Sequence, residues 1–193
     1  MTLDNIKIYL PKYLSEETQK QLFENLKDFP NPFEIFIRSS SNEILQGDGL
    51  IINIKNKKLK IMVISNSCDI DVNNKRYFES FMLYTPLFSL EKYKNSLLYE
   101  GIKKDDVDNH INDIKKQKIT QIFYLPNSSY NNINEDAFIF FDRITNISNN
   151  KIQRNNLKET RIFSLNQSGF YLFLLKLSIH FTRMQEGIDR KHN

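Results

Sequence analysis

Apolar residues along this 193-residue chain occur mostly as short runs that are separated by polar turns. Runs of five to seven residues bounded by Asn, Lys, Ser, Gly or Pro predict β-strands rather than helices. The predicted strands cover residues 6–10, 33–37, 50–54, 59–64, 77–88 with an end near Pro86, 119–125 and 137–141. The polar turn 55–58 predicts that the third and fourth of these strands form a hairpin.

Three segments show the pattern of a helix instead. Ser15 is positioned to cap an N-terminal helix that ends before Pro30. Residues 90–117 are highly charged and carry apolar residues at spacings of three and four, which predicts a helical insertion between strands. Ser164 or Asn166 caps a long C-terminal helix.

Together these elements predict one α+β domain over residues 1–193. Its core would be a small antiparallel barrel or bent sheet formed by residues 46–88 and 119–180, with the charged insertion at 90–118. The N-terminal helix and the long C-terminal helix would cover the edges or openings of the sheet.

The composition narrows the class of protein. Apolar residues make up 40% of the chain, with 15 Phe and 9 Tyr, which is enough for an aromatic-rich core. One cysteine excludes an internal disulfide framework and a Cys-rich zinc site. The polar start lacks the apolar region of a signal peptide, and the longest apolar run, 170–175, is too short to span a bilayer. We therefore expect a cytoplasmic protein without membrane association.

The net charge of +4 comes entirely from residues 151–193, which hold eight Lys and Arg against three Asp and Glu. On the last helix, Lys176, His180 and Arg183 share one face. Such a basic face can contact phosphates, although it more often only keeps a helix solvated. The apolar face of the same helix predicts either core packing or an interface with a protein partner or a second copy.

The segment after the second hairpin strand carries the most concentrated candidate chemistry. Ser65, Cys68 and Asp69 place a hydroxyl, the single thiol and a carboxylate within five residues. A thiolate can act as a nucleophile, but no histidine follows nearby to serve as its base. The alternative is structural: Cys68 as a small buried residue, with Ser65 and Asp69 bonded to the backbone of a turn.

Two other acidic positions complete the candidates. Asp48 lies between two glycines, where it could hold an RNA-contacting or partner-contacting loop or simply mark a tight turn into a strand. Asp69 and Asp71 alternate but have no further ligands around them, so we expect no metal site and no cofactor.

Several of these segments together resemble the PemK/MazF-like growth-inhibitor toxins. The resemblance covers residues 46–88 and 119–180 and lies in Gly47-Asp48, the strand 61–66 that ends in Ser-Asn, the segment 137–143, and the stretch from Leu165 into the last helix. It implies an SH3-like barrel and a bacterial toxin–antitoxin or phage-defence setting. The family cleaves RNA without a metal, using an Arg before the first of these strands and a Ser or Thr at the end of the next strand.

The chain departs from the family pattern at the nuclease site. The family's Arg-Pro pair would fall near Leu59-Lys60, where neither residue is present. Lys58 or Lys60 could supply positive charge there, but lysine lacks the bidentate fork of arginine. Thr85 lies near the position of the family's hydroxyl. A protein that resembles this family but departs from it here could have kept the nuclease site with a lysine in place of the arginine, or could have lost it.

Two functions follow from these observations. The favoured one is a non-catalytic module that binds a protein or RNA. The alternative is a metal-independent endoribonuclease acting on single-stranded RNA. In that enzyme Lys58 or Lys60 would stabilise the developing phosphorane charge, and Ser65, Asp69 or Thr85 would position or deprotonate the 2′-hydroxyl. A cysteine-dependent enzyme built on Cys68 is a third hypothesis.

Overall fold

The computed structural model of the protein describes residues 35–39 and 41–181. The predicted strand at 6–10 and the helix capped by Ser15 lie outside the described residues. Nine strands are described: β1 Phe36–Ile37, β2 Gly49–Ile54, β3 Lys57–Val63, β4 Phe81–Pro86, β5 Phe88–Ser89, β6 Ile122–Leu125, β7 Ala137–Phe140, β8 Thr145–Ser148 and β9 Arg161–Leu165. Five helices accompany them: α1 Ser67–Ile70, α2 Leu90–Tyr99, α3 Lys104–Lys115, α4 Leu157–Thr160 and α5 Gln167–Phe181, with 3-10 turns at Phe141–Arg143 and Asn149–Lys151.

The strands form two antiparallel sheets. The larger has the order β1-β9-β2-β3-β4-β8, and the smaller has the order β5-β7-β6. The predicted α+β class with antiparallel strands is therefore confirmed. Strands β1 and β8 end the larger sheet, and no pairing between them closes it into a barrel within the described part of the chain.

The β2–β3 hairpin forms as predicted. Its loop consists of Lys55 and Asn56, and Ile54 pairs with Lys57 on either side. Both loop residues have positive φ, 47° and 64°. Two consecutive residues with positive φ match the twist of antiparallel strands better than ordinary turns do. Asn accepts this conformation readily, which explains why the polar turn fixes the register here.

The apolar runs are continuous because both faces of these strands are covered. In β3, Met62 packs into one buried cluster while Ile61 and Val63 pack into another. The cluster around Met62 also contains Phe123 of β6 and Phe173 of α5, so it lies between the two sheets and the last helix. A strand buried on both faces has no reason to alternate apolar with polar residues.

The charged insertion contains α2 and α3, which cover the outer face of the smaller sheet. Val107, Ile111 and Ile114 of α3 are buried against Ile122 and Phe138 of that sheet. The charged residues of the insertion therefore form the solvent side of two amphipathic helices.

The sequence patterns gave no prediction of β8 or β9. Strand β9 pairs with both β1 and β2, and it begins directly after α4. Ser164 belongs to β9 and does not cap the last helix. Asn166 does: its side chain accepts a hydrogen bond from the Gly169 N–H at 2.8 Å.

Candidate functional site

The two hydroxyls predicted to act in catalysis each bond to the protein's own backbone. The Ser65 hydroxyl oxygen accepts a hydrogen bond from the Leu83 N–H at 2.7 Å. The Thr85 hydroxyl donates to the Phe140 carbonyl oxygen at 3.0 Å, and its residue is fully buried. Both residues are buried, and each hydroxyl bonds to the backbone of another segment.

The charged residues predicted for the nuclease site have different surroundings and different bonding partners. The Lys60 ammonium donates to the Ile133 carbonyl oxygen at 3.1 Å, whereas Lys58 is exposed near the start of β3. Asp69 is exposed and lies 3.4 Å from the Arg76 guanidinium. Four of the five residues assigned to cleavage therefore bond to different parts of the fold, and the fifth, Lys58, is exposed.

Cys68 is exposed, so the expectation of a small buried residue is wrong. It is the second residue of α1, and its N–H donates to the Asn66 side chain at 3.1 Å. The local turn bond expected from Ser65 or Asp69 comes from Asn66 instead. Cys68 lines a cleft of about 330 Å³ together with Asp71 and Arg154.

The basic face predicted on the last helix does not reach solvent at Lys176, which is buried. Its ammonium group donates to the backbone carbonyl of Gln117 at 2.8 Å and to the Gln117 side-chain oxygen at 3.0 Å. Desolvation lowers the pKa of Lys176 to about 7. His180 is half-buried against the Phe141 ring, and Arg183 lies outside the described residues.

The apolar face of this helix also differs from the prediction. Phe173, Leu175, Lys176 and Ile179 are buried. Of the predicted apolar face, Phe170, Leu174 and Leu177 are partly buried against the core, whereas Phe181 is exposed. The buried surface is therefore wider than predicted and includes the lysine that the pattern assigned to solvent.

The structure brings together a different set of polar residues, centred on Asp48. Its carboxylate accepts hydrogen bonds from the Ser164 hydroxyl at 2.6 Å and from the Leu45 N–H at 3.0 Å. The Arg161 Nε lies 3.1 Å from the second carboxylate oxygen. Nε has no hydrogen bond of good geometry, so the attraction between these two groups is mainly that of opposite charges.

Burial raises the pKa of the Asp48 carboxyl, while the hydrogen bonds from Ser164 and Leu45 and the charge of Arg161 oppose this rise. Asp48 is 1% exposed, and Arg161 is 8% exposed. The remaining guanidinium nitrogens of Arg161 donate to the Ser39 hydroxyl and to the carbonyl oxygens of Ser41 and Glu43. Each of the three guanidinium nitrogens therefore lies against a polar group of the protein.

The glycines beside Asp48 explain this arrangement. Gly47 has a φ of 89°, a conformation that other residues rarely adopt. A Cβ atom on Gly49 would lie 2.2 Å from the Phe163 ring, so only glycine lets β9 approach here. The β2–β9 register shifts between Gly49 and Leu50, which brings both Arg161 and Ser164 to Asp48.

Arg161 and Ser164 also line a polar cleft of about 240 Å³. We call this the Arg161 cleft. Its other lining residues are Ile37, Arg38, Ser39, Ser129, Tyr130, Asn131, Asn132, Leu157, Lys158, Ile162 and Phe163. Neither Arg161 nor the cleft was predicted from the sequence patterns. The available signal was the stretch 161–165, in which Arg161 and Ser164 interrupt apolar residues between polar neighbours.

A second surface is apolar and lies on β4 and the segment before it. Phe81 is 49% exposed and Leu83 is 42% exposed, whereas Met82 and Tyr84 on the other face of the strand are buried. Phe78, three residues earlier, is 70% exposed. We call Phe78, Phe81 and Leu83, together with the neighbouring strand β8, the β4–β8 surface.

Comparison with known proteins adds no family to this description. The sequence matches no protein-family model, and no curated protein is significantly similar to it. Among the described residues, every helix is too short or too polar to cross a membrane. The same residues contain no group of three or more His, Cys, Asp or Glu side chains placed to hold a metal ion.

The buried ion pair predicts strong energetic coupling. We expect Asp48→Ala to lower the free energy of unfolding by about 3–5 kcal/mol, because it leaves the buried guanidinium without its counter-charge. Asp48→Ala combined with Arg161→Met should cost less than the sum of the single changes. Urea denaturation measures all three variants. Asp108→Ala removes an ion pair on the surface and should cost much less. Strict additivity of the two buried changes would contradict the coupling.

Lys176 predicts a pH dependence of stability. With a pKa of about 7 in the folded protein, the side chain is neutral at alkaline pH, while the unfolded chain still binds the proton. Stability should therefore rise from pH 7 towards the unfolded pKa near 10.4, by at most about 1.4 kcal/mol per pH unit. Lys176→Met should flatten this rise in urea denaturation, and the exposed Lys92→Met should not. Equal slopes in all three proteins would show that Lys176 keeps an ordinary pKa.

Proposed function

We propose that this protein is a non-catalytic binding module that associates through the β4–β8 surface, with a second copy of the chain as the partner. The observation that carries the proposal is the combination of an open strand edge with an exposed apolar face beside it. Three of the residues predicted to act in catalysis, Lys60, Ser65 and Thr85, already bond to the protein's own backbone, which supports a binding role over an enzymatic one.

The edge of the larger sheet at β8 is short and carries neither of two common protections, charge and proline. Strand β8 ends the sheet order, so one of its sides has no strand partner among the described residues. Its four residues, Thr145–Ser148, include no charged side chain and no proline. Soluble proteins commonly use charge or proline to prevent an open edge from pairing with another chain. An edge without them is suited to pairing.

The apolar residues beside this edge would add affinity. Phe81 pairs with Ser148, and Leu83 pairs with Asn146, so these side chains lie on one face of the sheet. A strand added along β8 would extend this face of the sheet. It would lie two strand spacings, about 10 Å, from Phe81 and Leu83, so long side chains of the added strand would be needed to reach them across β8. Burying exposed aromatic and aliphatic groups contributes about 25 cal/mol for each Å² removed from water.

A second copy of the chain fits this edge without any further assumption. Two copies of β8 that pair antiparallel are related by a two-fold axis, and each offers the same donors and acceptors to the other. The same axis would place Phe81 and Leu83 of the two copies on either side of the two paired β8 strands. Since β8 carries no charge, the two copies would not repel each other there.

The role in RNA cleavage is the less favoured alternative. Thr85 would have to give up its bond to the Phe140 carbonyl before donating to a substrate, and the oxygen of Ser65 already accepts from the Leu83 N–H. The resemblance to PemK/MazF-like proteins supports a barrel-related fold in a bacterial toxin–antitoxin or phage-defence system. A module of that descent could keep the fold while its nuclease chemistry is lost.

Self-association is tested by sedimentation equilibrium over a wide range of protein concentration. We expect a reversible dimer that Asn146→Lys abolishes, because the added charges face each other across the strand edge. Phe81→Ser should weaken the dimer as well. Asn112→Lys introduces the same charge on the exposed side of α3 and should leave the dimer intact. A wild-type protein that stays monomeric at the highest concentration would refute the proposed interface.

The absence of catalysis is tested separately with single-stranded RNA in the presence of EDTA. We expect no cleavage by the wild-type protein, and no change with Ser65→Ala or with Lys58→Ala/Lys60→Ala. Folding of each variant is verified by circular dichroism. Cleavage that persists through purification and disappears in the lysine variant would overturn the non-catalytic assignment and establish the ribonuclease alternative.

A further inference from the structure

We propose that the Arg161 cleft is a binding site for a phosphate monoester of the kind carried by a mononucleotide. This site is separate from the β4–β8 surface and does not depend on self-association. The inference rests on the charge of the cleft, on its polar lining and on its size.

Positive charge gathers at the cleft from three parts of the chain. Arg38 follows β1, Lys158 lies in α4, and Arg161 begins β9. None of the thirteen described residues that line the cleft is Asp or Glu. Cations without an acidic residue in the lining favour an anionic ligand, and a phosphate dianion gains most from more than one of them.

The three cations have different roles because their surroundings differ. Arg161 is buried, and its charge is balanced by Asp48. It forms the floor of the cleft and holds Ser39, Ser41 and Glu43 in place through its hydrogen bonds. Arg38 and Lys158 are exposed, and neither forms an ion pair with another described residue. These two side chains supply the charge that a ligand would neutralise.

The rest of the lining suits the sugar and base of a nucleotide. Ser39, Ser129 and Asn132 offer hydroxyl and amide groups, which can donate to phosphate or ribose oxygens. Tyr130 also lines the cleft and is 54% exposed, so its ring is available for a base to stack on. Stacking of a base on an aromatic ring contributes about 1–3 kcal/mol.

The volume of the cleft limits what it can enclose. Pockets that enclose a whole small molecule commonly have about 300–1,000 Å³. A cleft of about 240 Å³ holds a phosphate group and part of a sugar, with the base outside against the rim. This placement agrees with the exposed position of Tyr130.

Isothermal titration calorimetry on the full chain tests the site with adenosine monophosphate, adenosine and inorganic phosphate as probes. We expect adenosine monophosphate to bind, inorganic phosphate to compete with it, and adenosine to bind at least about tenfold more weakly because it lacks the charge. Arg38→Ala/Lys158→Ala should lower the affinity for the nucleotide about tenfold or more. The exposed Lys92→Ala removes a positive charge away from the cleft and should have no effect.

Further measurements separate the parts of the proposal. Tyr130→Ala should lower the affinity for adenosine monophosphate but leave the affinity for inorganic phosphate unchanged, since only the nucleotide has a base. An oligonucleotide with a terminal phosphate, compared with one lacking it, distinguishes a strand end from a free nucleotide as the source of the phosphate. No binding of any phosphate-bearing probe, or equal binding by the Arg38→Ala/Lys158→Ala variant, would overturn the inference. Thermal melting verifies that each variant is folded.

Discussion

The structure depends on one buried charge pair, Asp48 with Arg161. A carboxylate removed from water is costly unless charge and hydrogen bonds compensate it, and here Arg161, Ser164 and the Leu45 N–H do so together. The same guanidinium then satisfies carbonyl oxygens of residues 41 and 43. One side chain therefore joins β9 to the start of β2 and to the segment that precedes it. The Arg161 cleft exists in its present shape because these three parts of the chain are held at fixed positions.

The sequence predicted those features that depend on neighbours along the chain. The β2–β3 hairpin follows from its polar two-residue loop, and the helix α3 follows from the spacing of Val107, Ile111 and Ile114. It failed where a distant residue decides the outcome. Lys176 looked like a solvated charge, yet Gln117 supplies two acceptors that make its burial possible. Ser164 had the chemistry of a helix cap but bonds to a carboxylate 116 residues away.

Polar groups in this protein fall into two classes with different consequences for function. Ser65, Thr85 and Lys176 are each hydrogen-bonded to a neighbouring segment and so contribute to holding the fold. Arg38 and Lys158 remain at the surface around a cleft. Buried hydroxyls and amines that look catalytic in a sequence are more often satisfied in this structural way. The two surfaces proposed to bind a partner and a ligand, the strand edge at β8 and the Arg161 cleft, lie at opposite ends of the larger sheet's strand order.

The position of β9 has a consequence for how the chain assembles. Strand β9 is the last of the described strands along the sequence, but it lies between β1 and β2 in the sheet. Neither β1 nor β2 can therefore form its pairing with β9 until the end of this region has been made. During synthesis the hairpin β2–β3 can form early, while one side of β2 stays open until residues 161–165 have left the ribosome. Asp48 has neither Arg161 nor Ser164 until that moment. Contacts between such distant parts of a chain slow folding, and an open strand side exposes the intermediate to pairing with other chains. The six-stranded order of the larger sheet can therefore be complete only after β9 has been inserted.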